Sequence, residues 1–181
     1  MARFLVLYGT TDGLTAKIAG ALCETLSGAG AEADVVDAGA HGDDPNPESY
    51  DAVIVAASVH ASGYQRDVER WVRAHAAALA MRPTAFVSVC LGVLEKNPAT
   101  DRALAQIVDG FLAKTGWKPT VVKPVAGALL YRRYNFLKRW LMRRIVAKAG
   151  GDTDTSRDYE YTDWEDLRSF AHEFHRRVLL P

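Results

Sequence analysis

The chain has 181 residues, of which 49% are hydrophobic and 24% are charged. This composition is typical of a globular protein, and the length suits a single domain over residues 1–181. No apolar run approaches the ~18 residues that a membrane-spanning helix needs. The two cysteines provide neither a disulfide framework nor a C-x-x-C pair, which predicts free thiols and a cytoplasmic location.

The formal net charge is zero, but the charges are unevenly distributed. Residues 131–148 contain 7 of the 22 basic residues and no acidic residue, which leaves 15 basic against 22 acidic residues elsewhere. An acidic body with one basic segment predicts a surface that contacts an anionic partner.

Apolar patterns typical of strands and helices alternate along the chain. Strands are predicted over residues 3–8, 33–37, 52–57, 84–89 and 120–126, and helices over 15–27, 64–79 and 101–114. A last helix is predicted after Thr162-Asp163, which supplies polar capping side chains. This order predicts an α/β fold with a doubly wound, five-stranded parallel sheet. A basic helical insertion over residues 131–158 precedes the last helix.

Ligands of doubly wound sheets bind at the carboxyl ends of the strands. The loop after the first strand has the sequence Thr10-Thr11-Asp12-Gly13-Leu14-Thr15. Its hydroxyls, its backbone N–H groups and the positive end of the following helix dipole favour a phosphate group. It matches neither the G-x-x-x-x-G-K-[ST] nor the G-x-G-x-x-G pattern, which disfavours nucleoside triphosphates and dinucleotides. The alternative is a plain turn in which Thr15 caps the helix.

The pattern T-T-x-G-x-T after the first strand resembles the FMN phosphate loop of flavodoxins. In that fold the second loop, here residues 58–64, edges the isoalloxazine ring, and the third, here residues 90–93, covers its other side. Four further stretches look like the menaquinone-dependent protoporphyrinogen IX dehydrogenase family. They are ASV at 57–59, AGALLYRRY at 126–134, GGDTDT at 150–155 and YTDWE at 161–165.

The resemblance implies a flavodoxin-like fold, FMN as cofactor, and six-electron oxidation of protoporphyrinogen IX to protoporphyrin IX in haem biosynthesis. It also implies a membrane quinone as the electron acceptor. The cofactor-binding residues that it implies are Thr10, Thr11, Asp12, Gly13, Leu14, Thr15, Ser58, Val59, His60, Tyr64, Cys90, Leu91 and Gly92.

The third loop supplies no aromatic side chain, so we expect Tyr64, His60 or Tyr131 to cover one face of the ring. His60, beside the expected ring edge, is also a hypothetical proton acceptor. Its alternative is a loop histidine bonded to the backbone. No other catalytic base is identified, and no metal site is predicted.

The basic segment suits a membrane interface, because long cationic side chains are interleaved with aromatic ones. The same charges could bind the propionates of a porphyrin, and no recognised motif supports a nucleic-acid role. The alternative is a solvated helix packed through Tyr134, Leu137, Leu141 and Ile145. The predicted membrane or substrate contacts are Arg132, Arg133, Lys138, Arg139, Trp140, Arg143 and Arg144.

The leading functional hypothesis is therefore a porphyrinogen dehydrogenase that is peripherally associated with the inner face of the cell membrane. Its partners would be a porphyrinogen, a membrane quinone and an anionic membrane surface. The alternative is a flavodoxin-type soluble electron carrier, or a quinone-linked flavoprotein that acts on another substrate. A family member that has lost FMN and only binds a partner is a third hypothesis.

Overall fold

A computed structural model of the chain describes residues 1–40, 44–60, 63–95, 98–129, 131–133, 146 and 152–180. The strands in this part are β1 Arg3–Gly9, β2 Glu32–Asp37, β3 Ala52–Ser58, β4 Thr84–Cys90, β5 Val121–Ala126, β6 Ala128–Leu129 and β7 Tyr159–Glu160. The α-helices are α1 Leu14–Gly28, α2 Arg66–Leu79, α3 Pro98–Thr115 and α4 Trp164–Leu179.

The first five strands form one parallel sheet in the order β2-β1-β3-β4-β5, which confirms the predicted doubly wound architecture. Six consecutive residues of β3 and of β4 are buried, as expected for central strands with helices on both faces. One face of the sheet packs against α1 and α4, and the other against α2 and α3. The carboxyl ends of the strands therefore meet at one edge of the sheet.

The helices begin at residues somewhat different from those predicted. Helix α2 begins at Arg66 rather than Tyr64, because the Tyr64 ring is buried and Gln65 has extended backbone angles (φ −58°, ψ 134°). Helix α3 begins at Pro98, since proline is favoured in the first turn. The predicted cap of α4 is confirmed: the Asp163 carboxylate accepts the backbone N–H groups of Glu165 and Asp166, at 3.1 and 2.9 Å.

A two-stranded antiparallel sheet, β6 with β7, joins the two ends of the predicted insertion. Sequence patterns did not predict it, because two residues are too few to show alternation. Glu160 in β7 forms a salt bridge of 2.9 Å with Lys17 of α1 and accepts the indole N–H of Trp164. The base of the insertion is thus attached to the helix that follows β1.

Most of the predicted basic helix, residues 134–145 and 147–151, lies outside the described residues. Within the part of the chain that the structure describes, no helix is both long enough and apolar enough to cross a membrane.

Candidate functional site

The loop between β1 and α1, residues 10–13 (loop 1), is shaped to present backbone N–H groups. The hydroxyl of Thr10 accepts the N–H of Gly13 at 2.9 Å. Gly13 is the N-cap residue and has φ +92°, a left-handed conformation that glycine adopts without strain. The first turn of α1 contains no acidic residue. The nearest carboxylate in the chain, Asp12, precedes the cap and lies outside the first turn, so the positive end of the helix dipole favours an anion.

Thr15 lies one residue into α1 and has a hydroxyl that is not satisfied by the protein. The residue is 1% exposed, and its Oγ1 finds no hydrogen-bond partner among the described residues. The alternative in which Thr15 caps the helix is wrong, because Gly13 occupies the cap position. A buried hydroxyl without a partner destabilises a protein by about 1–3 kcal/mol. Beside a helix N-terminus, such a hydroxyl fits an acceptor oxygen of a bound anion.

The segment after β3 (loop 2, residues 59–65) is described at residues 59–60 and 63–65, where its backbone pairs with itself and with β4. His60 and Gly63 exchange two backbone hydrogen bonds of 2.7 and 3.0 Å, and the N–H of Val59 donates to the Val89 carbonyl. The His60 side chain is exposed, so it is accessible to a ligand at this edge of the sheet.

Two of the three aromatic side chains expected to cover a flavin face are buried in the protein. Tyr64 is 9% exposed, packs edge-on against Phe86 and Phe111, and shares a 2.7 Å hydrogen bond with Ser88. Burial raises the pKa of Tyr64 to about 12. Tyr131 is 0% exposed and donates to the Asp152 carbonyl. The expectation for these two rings is therefore corrected, because the core already holds both.

After β4, residues 91–94 (loop 3) form a short 3-10 helix whose position depends on Gly127. The N–H of Gly127 donates to the Cys90 carbonyl at 3.3 Å. A Cβ atom at Gly127 would lie 3.3 Å from the backbone nitrogen of Leu91, so a larger residue would press on loop 3. Burial raises the pKa of the Cys90 thiol. The thiol is therefore protonated at neutral pH, and we assign it no redox role.

Loops 1 and 2 are joined by a residue that the sequence did not indicate. The side-chain Nε2 of Gln65 donates to the hydroxyl oxygens of Thr11 and Ser58, at 3.1 and 2.8 Å. A single glutamine before a helix matches no motif, so only the folded chain reveals the bridge. Gln65 thus lies at the same edge of the sheet as three of the residues predicted from the sequence, Thr10, Thr15 and Ser58.

The predicted membrane or substrate contacts are described only at their start. Arg132 is exposed, and its backbone N–H donates to the Asp158 carboxylate at 2.8 Å. Arg133 ends a short 3-10 turn that begins at Tyr131. The other five predicted contacts lie outside the described residues: Lys138, Arg139, Trp140, Arg143 and Arg144. No group of three or more metal-binding side chains occurs among the residues that are described.

The strand order, with a ligand-sized loop between β1 and the N-terminus of α1, is that of the flavodoxin class. A profile of the Flavodoxin domain matches residues 5–156. Oxidised flavodoxin 1 from Bacillus cereus superposes with a TM-score of 0.57 at 14% identity, covering 97% of this chain and 98% of that one. This structural likeness extends to the fold alone.

Sequence comparison with characterised proteins narrows the class to one family. The protoporphyrinogen IX dehydrogenase [quinone] of Escherichia coli K12 is 36% identical over 94% of this chain and 93% of that protein. The protein of the same name from Leishmania major is 36% identical over 95% of this chain and 74% of its own length. The chain belongs to the protoporphyrinogen IX dehydrogenase [quinone] family.

We predict that Thr15→Val does not destabilise the ligand-free protein, because it removes an unsatisfied buried hydroxyl without changing the side-chain shape. The free energy of unfolding, measured in urea, should be unchanged or higher by up to about 1 kcal/mol. The matched control is Thr115→Val, which removes a buried hydroxyl that donates to the Phe111 carbonyl at 2.9 Å. That variant should lose about 1 kcal/mol. A loss for Thr15→Val as large as that of the control would show that Thr15 has a partner within the protein.

Proposed function

We propose that the chain binds FMN at the carboxyl edge of its sheet and oxidises protoporphyrinogen IX to protoporphyrin IX, with a membrane quinone as the acceptor. The observation that carries the proposal is the unsatisfied Thr15 hydroxyl beside the N-terminus of α1. It supplies an anion site in a chain whose relatives are named for this reaction.

The residues that would hold the phosphate of FMN are those of loop 1 and the first turn of α1. The Thr10 hydroxyl accepts the N–H of Gly13 and keeps its own hydrogen to donate, so the phosphate would be bound by N–H groups of the turn and by the hydroxyls of Thr10, Thr11 and Thr15. Gly13 allows this turn conformation, since the backbone of a residue with a side chain is strained at its positive φ. The ring of the cofactor would lie between two segments of the chain. One is the end of β3 with the start of loop 2, at Ser58, Val59 and His60. The other is the end of β4 with the start of loop 3, at Cys90, Leu91 and Gly92.

When bound, FMN supplies the redox chemistry, which takes electrons from the reduced tetrapyrrole and passes them to the quinone. The protein orients the reactants and handles protons. The exposed imidazole of His60 is the group that we propose to take up protons released by the substrate. Loop 3 contributes apolar side chains, and its half-buried Leu91 packs toward Leu129 and Tyr131 rather than toward solvent.

The basic segment would hold the enzyme at the membrane that contains the quinone. Each Lys or Arg near an anionic leaflet contributes roughly 1 kcal/mol, so the segment's seven cations suit reversible attachment. The salt bridge between Lys17 and Glu160 places the base of this segment beside α1. Attachment through the segment would therefore bring the flavin site close to the membrane surface, so that the flavin can transfer electrons to a quinone in the membrane.

The activity is tested with the FMN-loaded protein, protoporphyrinogen IX and a soluble menaquinone analogue under anaerobic conditions. We expect porphyrin fluorescence to rise in proportion to the protein concentration and to require the quinone. Free FMN at the same concentration is the control, because a non-enzymatic reaction would proceed equally well with it. A loaded protein that exchanges electrons with a flavodoxin reductase but forms no porphyrin above this control would indicate a soluble carrier instead.

Membrane attachment is tested by co-sedimentation with vesicles, with and without anionic lipid. Replacing Lys138, Arg139, Arg143 and Arg144 with glutamine should lower the affinity for anionic vesicles at least about tenfold. The control replaces four exposed arginines elsewhere, Arg73, Arg102, Arg168 and Arg176, and so makes the same change in net charge. Equal losses in the two variants would refute a specific role for the segment.

A further inference from the structure

Gln65 occupies the N-cap position of α2 but does not cap it. An N-cap side chain ordinarily accepts a backbone N–H of the first turn, and Ser, Thr, Asp and Asn are preferred because they are short. The Gln65 side chain makes no such bond. Its carboxamide instead reaches Thr11 in loop 1 and Ser58 at the end of β3. The chain therefore forgoes a helix cap at this position and gains a link between two ligand loops.

The side chain lies over the last residue of β1, where only glycine fits. A Cβ atom at Gly9 would be 2.4 Å from Cγ2 of Val68 and 3.1 Å from Cβ of Gln65. The Gln65 Oε1 is buried on this side, 3.2 Å from the same position, and has no hydrogen-bond partner within the described part of the chain. The carboxamide oxygen is thus enclosed by the protein, and the Nε2 side of the group faces Thr11 and Ser58.

The orientation of the carboxamide sets the direction of both hydrogen bonds. As placed, both Nε2 hydrogens are donated and one carbonyl oxygen is unsatisfied. Because Nε2 donates to the oxygens of Thr11 and Ser58, the hydrogens of these two hydroxyls remain available to a ligand.

We propose that Gln65 is a positioning residue for the cofactor: it fixes the separation of loops 1 and 2 and directs the hydroxyl hydrogens of Thr11 and Ser58 toward FMN. Thr11 is exposed and Ser58 is half-buried, so both hydrogens can reach a ligand. The matching ligand is rich in acceptors, as the phosphate and the flavin ring of FMN are. The inference rests on the proposed function and assigns one residue of this chain to it.

Gln65→Glu tests the direction of the hydrogen bonds, because a carboxylate accepts but cannot donate. Both hydroxyls would then donate to Glu, and a negative charge would lie near the phosphate site. We expect FMN to bind about tenfold or more weakly at pH 8, as measured by quenching of flavin fluorescence. Relative to the wild type, the affinity should recover as the pH falls to 5, since a protonated carboxyl regains a donor. Dividing by the wild-type affinity at each pH corrects for the titration of FMN's own phosphate, which affects both proteins.

Two further variants complete the experiment. Gln65→Met removes both hydrogen bonds and should weaken binding about threefold to tenfold, without a pH recovery. Gln106→Glu, at an exposed position of α3, adds the same charge and should bind FMN as the wild type does. If Gln65→Glu does not fold, unchanged affinity in Gln65→Met overturns the proposal.

Different results would contradict the role of Gln65 and the proposed function. A wild-type protein that does not bind FMN contradicts the proposed function. Tight binding by the wild type and by both Gln65 variants overturns only the role of Gln65. Equal, pH-independent losses in Gln65→Glu and Gln65→Met would also overturn it, because the direction of the hydrogen bonds would then have no effect.

Discussion

The arrangement of the whole site depends on the backbone N–H groups of the first turn of α1, which have no partner within the helix. Helix α1 follows β1 after only four residues, and the left-handed Gly13 turns the chain so that these groups face outward from the sheet edge. The Thr10 hydroxyl closes the turn from inside by accepting the N–H of Gly13. No first-turn acid neutralises the helix dipole. An anion placed there is bound by groups that the fold has to expose in any case.

Around this point the sheet brings together loops that are distant in the sequence. Strand β1 pairs in parallel with β3, and β3 with β4. Their last residues, Gly9, Ser58 and Cys90, therefore lie at the same edge of the sheet. Gln65 joins loops 1 and 2 through its hydrogen bonds to Thr11 and Ser58. Gly127 packs against the backbone of loop 3 at Leu91 and so limits the position of that loop. Each connection crosses between elements, so the spacing of the loops is fixed by the folded sheet. The base of the insertion is fastened to the same region through Glu160 and Lys17.

Much of the fold could be predicted from the sequence, because buried parallel strands such as β3 and β4 are continuous apolar runs. Loop 1 could be singled out from the sequence as a candidate phosphate site for a similar reason: its hydroxyls and Gly13 are close together in sequence. The burial of Tyr64 and Tyr131 was not predictable, since an aromatic residue near a ligand loop can point into the core as readily as toward the ligand. The bridge through Gln65 joins residues up to 54 positions apart, and no local pattern carries such a contact.

The central claim, that the N-terminus of α1 binds the phosphate of a flavin, is tested most directly by comparing FMN with riboflavin, which lacks the phosphate. Titration of the ligand-free protein with each flavin gives the two dissociation constants. The structure predicts that FMN binds at least about 100-fold more tightly, since two or more charge-assisted hydrogen bonds contribute. Thr15→Val should lower the ratio of the two affinities, because it should weaken the binding of FMN and leave the binding of riboflavin unchanged. Equal affinities for the two flavins would contradict the account.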